Sequence, residues 1–152
     1  MKKLIMVSMV SLISLVSFGQ ISLSSPTETI TIGKVGGGMG PFIASLEYSK
    51  GDNQNQYMLS YNDATYTTLT SINRIKFSGN EELIETFYQM LNDLISGDAG
   101  VEKEFNIGKE VMSVKCIKNL GVKSLQIITS DRGTAGYFYV TKKQLDKLFG
   151  KL

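Results

Sequence analysis

Three groups of residues in this chain are of types that do chemistry. The first is a set of carboxylates, Asp52, Asp63, Asp98 and Asp131, each in a stretch that reads as a loop. Two such acids brought into one cleft could act as acid and base, or as acid and nucleophile, as glycoside hydrolysis requires. Each also stands in turn-like sequence, where an aspartate bonds to the backbone two residues on and needs no catalytic role.

The second group is the tyrosines. Tyr48, Tyr57, Tyr61, Tyr66, Tyr137 and Tyr139 all fall in strand-like stretches. A tyrosine standing out from a sheet offers a large apolar ring with a polar tip, suited to stacking on a sugar or gripping a protein. Tyr57, Tyr61 and Tyr137 are therefore candidate binding residues, together with Asp131 and Arg132 at the tip of a hairpin. The plainer reading is that aromatic residues are simply common in strands, and that Asp131-Arg132 is a solvated turn.

The third is the glycine run from Gly33 to Pro41. Glycines after a strand can form a backbone nest for phosphate. The nucleotide loop, however, needs G-x-x-x-x-G-K-[ST], and here Lys34 precedes the main run and is followed by Val35. The dinucleotide pattern fails as well, because Pro41 occupies the place of its last glycine and Phe42 onward reads as strand. A bulged connection between strands is the better account.

What is missing narrows the chemistry further. The chain has no histidine, which removes the Ser–His and Cys–His nucleophile pairs and the commonest transition-metal ligand. Asp52-Asn53-Gln54-Asn55 lacks the order of a calcium loop. Cys116 is the only cysteine, so no internal disulfide forms. It sits in an alternating apolar and polar stretch and reads as a buried strand residue. No catalytic residue, cofactor or metal is expected.

These residues must be positioned by short strands and two helices. Alternation marks strands at Thr29–Ile32, Phe42–Tyr48, Tyr57–Tyr61, Val111–Ile117, Val122–Thr129 and Tyr137–Val140. Thr65–Phe77 is also rich in β-branched residues but changes parity, which a bulge near Asn73-Arg74 would reconcile. A further short strand around Phe105 and Ile107 fits the connection between Asp98 and Gly108. Leu83, Ile84, Phe87, Met90, Leu91, Leu94 and Ile95 form a broad helical stripe. Either Ser78 or Asn80 caps its start, and Gly97 ends it. Thr141 and Gln144 form a second capping-box pattern that opens a short helix with Leu145, Leu148 and Phe149 on one face. The expected fold is α+β: a mostly antiparallel sheet of about six or seven strands, with helices at about 80–96 and 142–149 on one face. The order is strands, helix, strands, helix, which hints at a duplicated unit.

The beginning of the chain speaks to location. Met1-Lys2-Lys3 is positive, Leu4 to Phe18 is apolar and uncharged, and Ser17-Phe18-Gly19 places small residues at −3 and −1 of a cut before Gln20. That is the pattern of a cleavable signal peptide over residues 1–19. Residues 20–28 read as a Ser/Thr-rich lead-in and 29–152 as one domain. An exported protein of this kind works in the periplasm or outside the cell, with no stable membrane insertion after cleavage. Loss of Lys2 and Lys3 balances the basic residues against the 14 acids. Without a basic excess, nucleic acid is not an expected partner.

Together these residues point to an exported, non-enzymatic domain that binds a protein or glycan through a sheet face or loop tips. A small envelope hydrolase using loop carboxylates and an inhibitor-like protein are the other readings.

Overall fold

The computed structural model describes residues 28–66, 68–131 and 134–152. Residues 1–27, where the signal peptide and lead-in are expected, lie outside them, as does Arg132.

Two four-stranded antiparallel sheets form, each followed in the chain by a helix. The first comprises β1 (Thr29–Gly36), β2 (Phe42–Ser49), β3 (Asn55–Asn62) and β4 (Ile72–Gly79), in that spatial order, and is followed by α1 (Glu81–Ser96). The second comprises β5 (Glu102–Ile107), β6 (Glu110–Asn119), β7 (Val122–Asp131) and β8 (Thr134–Thr141), again in order, and is followed by α2 (Lys142–Leu148). The class is α+β, as the alternation and the two helical stripes require. Eight strands form among the described residues, rather than six or seven, and they divide into two sheets. The division falls between β4 and β5, where α1 interrupts the ladder. The order of elements, four strands and a helix, occurs twice.

Each strand buries one face because its apolar residues alternate. Ala44, Leu46, Tyr57, Leu59, Tyr61, Ile75 and Phe77 face inward from the first sheet, and Met112, Val114, Cys116, Leu125, Ile127, Phe138 and Val140 from the second. They belong to one continuous core with Leu91, Leu94, Ile95, Leu145 and Leu148 of the helices. Cys116 is a free thiol within it, as its alternating neighbours imply. The parity change in Thr65–Phe77 has a simple cause: residues 63–71 form a connection and β4 begins only at Ile72. From there Ile75 and Phe77 point inward without a bulge in the β3–β4 pairing.

The helices are exchanged between the two units. α1 follows the first sheet yet packs on β6 and β7 of the second, whereas α2 packs on β1 and β2 of the first as well as on β8. Asn80 caps α1, its side chain accepting from the Leu83 amide at 2.9 Å. Ser78 remains in β4. Thr141 and Gln144 form the expected capping box of α2.

The glycine run is a bulged hairpin between β1 and β2. The register shifts at Thr31/Gly33 and Val35/Gly36, and Gly36, Gly37 and Gly38 have positive φ. Gly33 serves a different purpose. A Cβ there would collide with the backbone carbonyls of Lys147 and Leu148, so glycine lets the end of α2 lie against β1.

Candidate functional site

The tyrosines divide sharply once the strands are in place. Tyr57 and Tyr61 are 2% and 1% exposed, so neither is available to a ligand. Parity is the cause: both share the face of Leu59, which the core covers. Tyr57 stacks on Phe77, with ring centroids 5.5 Å apart. The candidate binding role of these two residues is therefore corrected to a core role. Tyr48 is half-buried and packs against the same core.

Tyr137 and Tyr139 lie on the opposite kind of surface. Their neighbours Phe138 and Val140 point inward, so both rings stand on the outer face of the second sheet. Tyr139, which is not among the expected binding residues, is 40% exposed, and Tyr137 is half-buried. The two rings meet edge to face at 5.4 Å between centroids and 76° between planes. Register defines what stands beside them. Tyr139 lies across from Gln126, then Lys115, then Glu102. Tyr137 lies across from Ile128, then Ser113, then Glu104. Gln126 donates through Nε2 to the Tyr139 hydroxyl at 3.2 Å, fixing the ring on the face. The outer face thus carries two aromatic rings and Ile128 on one side and Lys115, Glu102 and Glu104 on the other.

Asp131 closes the β7–β8 hairpin opposite Thr134. The structure does not describe its side chain, and Arg132 lies outside the described residues.

Of the loop carboxylates, Asp63 serves the structure. Asp63 is 2% exposed. It accepts from the Thr65 amide at 2.9 Å, from the Tyr137 amide at 3.3 Å and from the Asn73 side chain at 3.5 Å. Burial pushes its pKa up, but the donations from Thr65, Tyr137 and Asn73 together outweigh this and hold it below the usual aspartate value. The Ala64 amide donates to the Tyr137 carbonyl at 2.8 Å, so the β3–β4 connection satisfies the backbone of edge strand β8. Close approach here depends on Gly136. A Cβ at that position would stand 2.5 Å from the Asn73 amide nitrogen and 2.8 Å from the Tyr61 hydroxyl. Asp52 and Asp98 are exposed. Asp52 lies in the β2–β3 turn, at the opposite end of the first sheet from Asp63.

A second polar cluster joins the helices. Lys142 pairs with Asp146, Lys151 pairs with Glu85, and the Tyr88 hydroxyl donates to Asp146 at 2.8 Å. Both ammonium groups also lie over the Tyr88 ring, 5.7 Å and 5.3 Å from its centroid. This cluster ties α1 to α2 and leaves no acid in search of a proton. Among the described residues, no group of His, Cys, Asp and Glu is arranged to hold a metal ion, and no helix is long and apolar enough to cross a membrane.

Comparison with known proteins finds no matching family model, no matching curated protein and no matching solved structure.

Proposed function

We propose that the chain acts after export, in the periplasm or outside the cell, as a non-enzymatic domain that binds a partner protein through the outer face of its second sheet. The observation that carries this reading is the Tyr137–Tyr139 pair, held on an open face beside Ile128, Gln126 and Lys115. Aromatic anchors surrounded by mixed polar and aliphatic residues suit a protein interface. A protein fits better than a glycan because the two rings stand at 76° to each other and do not offer one flat stacking platform. The balanced charge of the exported chain likewise fits a protein partner better than a polyanion.

Hydrolysis by paired carboxylates requires one acid whose pKa is raised. Among the described residues, Asp63, Asp146 and Glu85 are each held below the usual carboxylate value. This favours binding over catalysis. An inhibitor-like role is a special case of the same reading, in which the partner is an enzyme.

Native mass spectrometry of the protein recovered from its own exporting cells tests the proposal. The wild-type chain should carry a companion that denaturation removes. Tyr139→Ala should lose that companion, at a cost of about 2 kcal/mol or more for a central aromatic anchor, while its melting temperature stays unchanged. A companion retained in full by Tyr139→Ala would contradict it.

A further inference from the structure

The stripe of α1 leaves two large apolar side chains in solvent. Leu83 and Met90 are 45% and 47% exposed. They are not scattered. With Phe87 they form one wall of a groove of about 510 Å³, completed by Phe105 and Ile107 of β5 and by Phe77 of β4. That size falls within the range of about 300–1,000 Å³ typical of small-ligand sites. The groove lies where the open edges of the two sheets approach, because Gly108 at the β5–β6 turn abuts the Lys76 carbonyl of β4.

A second concavity adjoins the first and shares Phe77, Ser78 and Gly108 with it. Its lining adds Arg74, Lys76 and Lys109 against a single acid, Glu110. Neither the Lys142–Asp146 nor the Lys151–Glu85 ion pair draws on these three cations. Apolar surface and positive charge are thus segregated side by side, with Glu104 on the apolar side.

We propose that this double concavity binds a single-chain anionic amphiphile of the fatty-acid class. The acyl chain lies against Leu83, Phe87, Met90 and Phe105, and the carboxylate head meets Arg74, Lys76 and Lys109. Charge complementarity selects the head, and Glu104 disfavours the reverse orientation. The edge of β5 argues against an added peptide strand, because Glu102, Lys103 and Glu104 are the charged residues that natural edges use to prevent pairing. This site shares Glu104 with the charged end of the tyrosine face but none of its tyrosines.

Calorimetric titration of the exported chain with dodecanoate, below its micelle concentration, provides the test. Dodecanoate should bind saturably with one site per chain. Dodecyltrimethylammonium, which has the same tail and the opposite charge, should bind at least about ten-fold more weakly, and acetate should not bind. Met90→Glu and Lys76→Glu should each weaken dodecanoate by about ten-fold or more, while circular dichroism shows both variants folded. Both positions are exposed, so folding should survive the changes. No saturable dodecanoate binding, equal binding of the two head groups, or variants that bind like wild type would each overturn the proposal.

Discussion

Tyr61 of the first sheet stacks on Phe138 of the second, with ring centroids 4.7 Å apart and planes 20° from parallel. The Tyr61 hydroxyl continues across the boundary to bond the Thr129 hydroxyl, and the Asn73 side chain donates to it at 3.1 Å. One side chain therefore joins the sheets by an apolar contact and a polar one. The helix exchange couples the same two units, so their unfolding should be a single event. Phe138→Ala should cost about 3–5 kcal/mol. Urea unfolding followed by tyrosine fluorescence and by circular dichroism should still give coincident transitions. Two separated transitions would show that the units are independent.

The buried Asp63 carboxylate makes stability depend on acidity. Its folded pKa lies below the ordinary aspartate value of about 3.9. A group of this kind contributes stability that is present above its unfolded pKa of about 3.9 and is lost as pH falls through the folded value. Asp63→Asn should lower stability at pH 7 by about 1–3 kcal/mol, because a donor amide replaces part of an acceptor surrounded by donors. The gap between variant and wild type should narrow as pH drops from about 5 toward 2. Urea midpoints at pH 7 and pH 3 report this, and a gap that stays constant would remove Asp63 from the account.

Lys123 of β7 substitutes for a cation that α1 lacks. The last turn of α1 contains no basic residue, yet the Lys123 ammonium donates to the carbonyls of Ser96 and Gly97 at its end. Lys123→Met should cost about 0.3–1 kcal/mol at low salt, and less at high salt, because the interaction of a cation with a helix C-terminus is screened. Chemical denaturation at two ionic strengths measures the difference. A loss that does not change with salt would assign the role of Lys123 to packing.

Local pattern made several features legible. The periodicity of Leu83 to Ile95 gives α1, the Thr141–Gln144 spacing gives the start of α2, and alternation around Cys116 gives its burial. The burial of Tyr57 and Tyr61 was also present in the pattern, since both share parity with Leu59 while Gln56, Met58 and Ser60 alternate with them. Parity likewise separates Tyr139 from Val140. Other features depend on contacts distant in sequence. Nothing local tells α1 to pack on β6 and β7, and the groove needs β4, α1 and β5 brought together. The exposure of Leu83 and Met90 becomes informative only when the opposite wall, Phe105 and Ile107, is in place.

The most direct test of the binding face uses tyrosine reactivity. Tyr66 and Tyr139 are 48% and 40% exposed, and only Tyr139 lies on the proposed face. Nitration by tetranitromethane, mapped by peptide mass spectrometry, should be compared between the isolated protein and intact exporting cells. Tyr66 should react in both settings, and Tyr139 should react in the isolated protein but be protected in cells. Equal nitration of Tyr139 in both settings, with Tyr66 reacting normally, would contradict partner binding through this face.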